Sequence, residues 1–398
     1  MTQPALDDTG PKQSREANVG GYRRFLEVCR AGEADFRLTP SAEPTSYARC
    51  FGVFGLHLIG ETATLDAARD RLVEALRHDL WQARTAAGDG VPRDKAWRQL
   101  LCFTLSALAL LGGLDEDPLR DLVEEQLPSD LETELHRTGA PAGRAQSGNQ
   151  AMFLAIFLLH ARDRLGRDTT ADLELWLRLH RQSMNRFGFW GPEAGPTHLH
   201  FQNGYHQYEV FEYLDADNPA EQSALRSVAS LADPLGHFAP YPGGGGCFDY
   251  DAVFVLTPGG KAPEDEALRA LLRRTADSIA AEQQQDGGFC ESLRVRPRRT
   301  GLPGFAERLA SARNPALLKE RLRYAVTLQR SKHDRIHTHW SRYQRRWGES
   351  NLWDSWFRML TLARIEAAFE PKRAGRWGFI DYPGIGWHPT LRDRVRRS

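Results

Sequence analysis

Apolar residues recur every three or four positions along most of the chain, as at Leu268, Leu271, Leu272 and Ile279. Strict alternation is scarce, so the pattern predicts an almost wholly helical protein. Two kinds of segment take turns. Residues 66–86, 115–136, 169–184, 218–233 and 264–285 keep their apolar positions on one face and charges on the other. Residues 47–59, 100–111 and 151–159 are apolar nearly all round, and a helix without a polar face must be enclosed by other helices. An inner and an outer set follow. The inner-type segments start near 47, 99, 149, 202, 248 and 351, at intervals of about 50 residues with one double gap, a period that signals a repeat architecture. The expectation is six helical hairpins in one domain over 21–398, interrupted by an inserted segment at 286–349. Residues 1–20, polar and turn-rich, are expected to form a disordered arm.

Composition narrows the class. Of 398 residues, 41% are hydrophobic, and 52 Lys and Arg cancel 52 Asp and Glu. That balance excludes most nucleic-acid binders, which need a basic excess to neutralise phosphates. No apolar run approaches the roughly 18 residues needed to span a bilayer, so no membrane segment is expected. The five cysteines (29, 50, 102, 247 and 290) are odd in number and contain no Cys-x-x-Cys pair. Neither a disulfide framework nor a zinc ribbon is indicated, and a reducing cytoplasm fits.

The outer segments end in a related phrase, glycine before an aromatic: Gly188-Phe189, Gly236-His237-Phe238, Gly287-Gly288-Phe289 and Gly378-Phe379. Glycine suits a helix C-terminus because it takes the left-handed conformation without strain. The fullest copy, Gln283 to Phe289, resembles the Gln-x-x-Asp-Gly-Gly-Trp/Phe phrase of the terpenoid cyclase and protein prenyltransferase superfamily. The resemblance implies an all-α (α/α)6 toroid with a central pocket. Other helical toroids, among them polysaccharide lyases and glycoside hydrolases, share that layout, and fold alone does not fix function.

In such a toroid the starts of the inner helices converge on one rim of the cavity, where polar residues stand at the mouth of an apolar pocket. Those starts hold Asn149, His200, Asn203, Tyr205, His206, Tyr250, Trp353 and Asp354, with His339 just before the last of them. The sharpest element is the four-glycine run 243–246 leading into Cys247-Phe248-Asp249-Tyr250-Asp251-Ala252. Glycines permit close backbone approach to a ligand and a flexible entry. Asp249-Tyr250-Asp251 resembles the first part of the Asp-x-Asp-Asp phrase of proton-initiated terpenoid cyclases, which makes Asp251 the general acid and Asp249 its neighbour; the last position is Ala252. The resemblance to prenyltransferases instead implies zinc, with Cys247, Asp249 and His206 or His339 as ligands. A third arrangement pairs His206 with Glu209 at i and i+3, beside Asn203 and Tyr205, for proton abstraction as in toroidal lyases. A saccharide hydrolase would use paired carboxylates such as Asp251 and Asp354.

Between the fifth and sixth inner segments the insertion is basic, with Arg294, Arg296, Arg298 and Arg299, and guanidinium forks suit phosphate or carboxylate. Ten Trp, ten Tyr and 19 Phe suffice to line a cavity, whose ring faces can stabilise a cation or stack a sugar. The leading expectation is an intracellular biosynthetic enzyme, a cyclase, isomerase or lyase acting on an isoprenoid or other apolar small molecule without a cofactor. Catalysis is expected from Asp251, Asp249, His206 and Tyr205. A zinc-dependent prenyltransferase-like protein, a saccharide lyase or hydrolase, and a non-catalytic ligand-binding toroid are the alternatives.

Overall fold

The structure, a computed structural model, describes residues 10–114, 117–295, 298–329, 334–338, 341–345 and 348–392. The helices in chain order are α1 (Gly10–Cys29), α2 (Ser46–Leu58), α3 (Thr62–Ala86), α4 (Lys95–Leu110), α5 (Asp117–Glu124), α6 (Leu131–Thr138), α7 (Gly148–Asp163), α8 (Thr170–Ser183), α9 (His198–Tyr213), α10 (Glu221–Ala229), α11 (Gly246–Leu256), α12 (Glu266–Ala281), α13 (Arg298–Ala310), α14 (Pro315–Gln329) and α15 (Leu352–Phe369). Six of them, α2, α4, α7, α9, α11 and α15, pack each on the next, and α15 closes back on α2. The rest of the hairpin helices lie outside this ring, and the chain is an (α/α)6 toroid.

Burial explains the division. Phe153, Leu154 and Ile156 of α7 are at most 2% exposed, whereas α5, in the outer layer, leaves Arg120 and Asp121 in solvent. The inner helices begin where a short polar side chain can take up free backbone N–H groups. Thr45 accepts from Ala48 N, Asp94 from Ala96 N and Trp97 N, Thr197 from His200 N, and Asn351 from Asp354 N. Their starts share one rim: the rings of Tyr47 on α2 and Trp353 on α15 stack at 5.4 Å, and Gly148 N at the start of α7 donates to Asn203 Oδ1 on α9 at 2.9 Å.

Three glycine–aromatic phrases fold alike. Gly188, Gly236 and Gly287 take φ of 84°, 86° and 88°, and Phe189, Phe238 and Phe289 are buried behind them. Gly378 differs: it has no left-handed backbone, and the space for a Cβ there is filled by His57 O. The Gln283 phrase staples the ring at its seam. Gln283 Nε2 donates to Asn18 O of α1 (2.8 Å), Asn18 Nδ2 donates back to Gln283 Oε1 (2.8 Å), and Phe289 N donates to Ser355 Oγ of α15 (2.8 Å).

Two expectations need correction. Residues 10–20, read as part of a disordered arm, belong to α1, because Tyr22, Phe25 and Leu26 bury its second half and the Asn18–Gln283 pair holds its first. The outer segment 115–136 is two helices, α5 and α6, broken around Pro128. The insertion carries α13, α14 and an antiparallel strand pair, Asp334–Thr338 with Ser341–Arg345. Glu320 of α14 accepts from His198 N (2.9 Å) and Leu199 N (2.8 Å), which seats the insertion on the N-terminal end of α9. Among the described residues, no helix is long and apolar enough to cross a membrane.

Candidate active site

The glycine run before α11 is built for close packing. Gly244 lies at φ 67°, and a Cβ there would fall 2.2 Å from Asp249 Oδ2 and 2.6 Å from His237 Nδ1. A Cβ at Gly246 would fall 2.8 Å from Asp354 Oδ1. The loop is thus pinned: the close approach that glycine permits is to the protein's own charged groups, and the expected flexible entry is not what these residues provide.

Those charged groups form a buried network. Asp249, fully buried, accepts from Phe238 N (2.8 Å) and Arg358 Nη1 (2.6 Å) and pairs with His237 Nδ1 (3.0 Å). On its other side His237 Nε2 stands 3.3 Å from Glu282. Arg358 also donates to Gly243 O (3.0 Å) and Glu291 O (3.1 Å), which ties α15 to the glycine loop. Burial alone would raise the Asp249 carboxyl, but His237 and Arg358 outweigh it and hold the group below the usual range. Burial likewise opposes charge on His237, yet Asp249 and Glu282 raise its pKa to about 9. Asp249 is therefore held ionised and turned toward the outer ring by His237 and Arg358.

Asp251, two residues on, has the opposite surroundings. It is fully buried, and neither carboxyl oxygen has a hydrogen-bond partner among the described residues. Burial, then the nearby Glu209 and to a lesser degree Asp249, push its carboxyl well above the usual range. The Tyr205 hydroxyl is near enough to favour the carboxylate in part, though it makes no hydrogen bond of normal geometry with it. Glu209 is itself raised, first by burial and then by Glu212, against the pull of Arg364, and both its oxygens are likewise unpartnered. His206 Nδ1 lies 3.8 Å from Glu209 Oε2 without a hydrogen bond, and burial followed by the charge of Lys95 keeps the imidazole neutral. Asp251, Glu209, Tyr205 and His206 thus gather in the interior, with both carboxyls pushed toward the protonated form.

An aromatic wall adjoins this group. Tyr205 packs against Tyr250 (6.0 Å between centroids), Tyr250 against Phe357 (5.6 Å), Phe357 against Trp353 (4.8 Å) and Trp353 against Phe51 (5.1 Å). The wall runs over α9, α11, α15 and α2.

The remaining expected residues divide. Trp353 and Asn149 stand half-buried on the first turns of α15 and α7. His200 is buried with its Nδ1 unpartnered. Asn203 and Asp354, expected to hold substrate, are used by the fold: Asn203 caps α7, and Asp354 accepts from Asn351 Nδ2 (2.7 Å). His339 lies outside the described residues. Arg294 of the basic insertion pairs with Glu282 at 3.4 Å. Among the described residues no group of three or more His, Cys, Asp or Glu is placed to hold a metal ion, and Asp249 is committed to His237 and Arg358.

The fold is similar to that of a type II terpene cyclase from Scytonema. For a variant of that enzyme solved with geranylgeranyl dihydroxybenzoate as substrate, the TM-score is 0.51 at 13% identity, over 89% of this chain and 98% of that one. For another variant, solved with the product merosterolic acid A, it is 0.50 at 14% identity, over 92% and 98%. A glycosidase in complex with glucose overlaps more loosely, with a TM-score of 0.45 at 12% identity over 91% and 99%. No protein-family model matches the chain, and no curated protein matches it in sequence. At these identities the likeness is one of fold.

Proposed function

We propose that the chain is an enzyme that cyclises or isomerises an isoprenoid or similarly apolar molecule by protonating it, with Asp251 as the general acid. The observation that carries this reading is the pair of buried, unpartnered carboxyls of Asp251 and Glu209, both pushed well above the usual range, beside the aromatic wall. A carboxylic acid kept protonated by an apolar site and a second carboxyl is a donor at neutral pH. The position that holds a further Asp in the resembling phrase is Ala252, and Glu209 supplies the missing carboxyl from the adjacent inner helix.

Asp251 gives its proton to one carbon of a substrate double bond, forming a C–H bond and leaving the positive charge on the neighbouring carbon. The ring faces of Tyr250, Phe357 and Trp353 stabilise that charge. An internal double bond closes the ring by supplying its electron pair, and a final proton leaves to restore a neutral product. Neutral His206 is the base on hand for it, and the Tyr205 hydroxyl steadies the Asp251 carboxylate until it is reprotonated.

The test is product analysis in deuterated water with geranylgeranylated hydroxybenzoic acids and linear polyprenyl compounds. The expected outcome is a cyclised product carrying solvent deuterium, with turnover lowered about a hundred- to ten-thousand-fold in Asp251→Asn. Full activity in Asp251→Asn together with its loss in His206→Ala would place the chemistry on the histidine and overturn the assignment of the acid.

A further inference from the structure

Charge is unevenly divided along the chain. Residues 294–346 hold 15 Lys and Arg against three acids, Glu307, Glu320 and Asp334, a net +12 in a protein whose total is zero. The remainder therefore carries −12, and an asymmetry of this size points to an anionic partner for the insertion.

Within that segment α14 shows solvent an apolar stripe. Leu318, Leu322 and Val326 are 40%, 45% and 60% exposed, while the opposite side of the helix buries Glu320 and Arg321. Residues four apart share one helix face, and the exposed Lys319 and Arg323 border it. Of the seven large apolar side chains left in solvent among the described residues, four, these three and Leu293, belong to the 286–349 insertion, so the apolar and the basic features coincide. The inner side of α14 fixes where the stripe stands. Glu320 accepts from His198 N and Leu199 N at the start of α9, and the ring of Tyr324 lies 5.8 Å from that of Tyr241 and 6.3 Å from that of Phe248 on the first turn of α11. The stripe is thus the outer face of a helix whose other side rests on the rim of the toroid.

Three occupants compete for this face. A second copy would bring Lys319 and Arg323 against their own like, since the one acid of α14, Glu320, is turned inward. A nucleic acid would neutralise the arginines and leave the stripe in water. An anionic bilayer satisfies both features, because its headgroups take the cations while Leu318, Leu322 and Val326 enter the acyl boundary. We infer that α14 lies in the surface of an anionic lipid bilayer and holds the rim of the toroid against it. The preference for a bilayer over an acidic protein rests on the apolar substrate proposed above, which would partition into lipid; the basic, apolar face itself does not depend on that proposal.

The experiment is flotation of the full chain, without substrate, with vesicles of phosphatidylcholine alone and of phosphatidylcholine with phosphatidylglycerol, at low and high salt. The wild type is expected to float with the anionic vesicles, to stay down with the neutral ones, and to be released in part by salt. The double variant Leu322→Gln, Val326→Gln and the double variant Lys319→Gln, Arg323→Gln should each weaken binding about ten- to thirty-fold. These side chains stand in solvent, so both variants should unfold at the wild-type temperature, and Val326→Trp, which enlarges the stripe, should bind tighter than wild type. Absence of binding to the anionic vesicles would overturn the inference, as would binding that the apolar variant leaves unchanged. The second result, with equal capture by heparin, is that of a polyanion site; a dimer split by the apolar variant, with no vesicle binding, is that of self-association. The two proposals fail separately: vesicle binding without any cyclised product defeats the cyclase reading and leaves this one standing, while cyclisation without vesicle binding does the reverse.

Discussion

Asp249 and Asp251 stand two residues apart on α11, and their carboxyls are driven in opposite directions from the usual range. Two positions on a helix point to nearly opposite sides, so one carboxyl meets His237 and Arg358 of the outer network and the other meets Glu209 and Tyr205 of the interior. Pairs of titratable groups driven apart in this way are how one site holds both an anion and an acid at the same pH.

Removing the two charges should therefore have different consequences. Asp249→Asn leaves Arg358 and His237 buried without their anion, and breaking a buried ion pair in this way costs about 3–5 kcal/mol. Asp251→Asn removes no hydrogen bond and should leave stability within about 1 kcal/mol of wild type. Thermal unfolding of the two variants side by side distinguishes them; equal destabilisation would contradict the separation of roles.

The His237 network should make stability fall on the alkaline side. The folded-state pKa of about 9 lies above the ordinary value of 6.5, so the stabilisation is fully present below pH 6.5 and is lost as pH rises through 9. Its size is on the order of 3 kcal/mol. Unfolding free energy measured between pH 6 and 10 should drop in the wild type and drop less in His237→Gln.

Glu209 should set the pH at which the enzyme loses its acid. Asp251 works only when protonated, and the carboxyl of Glu209 helps keep it so. In Glu209→Gln the alkaline limb of the pH–rate profile should move to lower pH, with little change on the acid side. An unmoved limb would mean that burial alone governs Asp251.

Gly244 should tolerate no side chain. Its backbone is left-handed, and an added Cβ would meet Asp249 Oδ2 at 2.2 Å, so Gly244→Ala is expected to lose more than about 1 kcal/mol. The variant should also raise the unfolding sensitivity of the α11–α15 contact, read by hydrogen exchange at Gly246–Leu256.

Much of the fold was legible in the sequence because it depends on local pattern. A segment such as 151–159, apolar on every side, can only sit inside, and six inner-type starts about 50 residues apart, with one double gap, define a ring. The start of α1 was not legible, because what orders it is Gln283, more than 260 residues away. The site was legible in part for the same reason. Asp251 and Tyr205 stand near glycines and aromatics that mark them locally. His237, Asp249, Glu282 and Arg358 come from four separate stretches, and nothing in their immediate neighbours shows that they meet. Glu209 was visible only as the i+3 partner of His206; that it faces Asp251 follows from the packing of α9 on α11.

The most direct test of the central claim is the charge state of Asp251 itself. Infrared difference spectra of protein carrying carboxyl-13C aspartate, recorded at pH 7, should show a neutral carboxylic-acid carbonyl band that disappears in Asp251→Asn and persists in Asp249→Asn. A spectrum in which Asp251→Asn removes only a carboxylate band would show Asp251 ionised at neutral pH and would contradict its role as the acid.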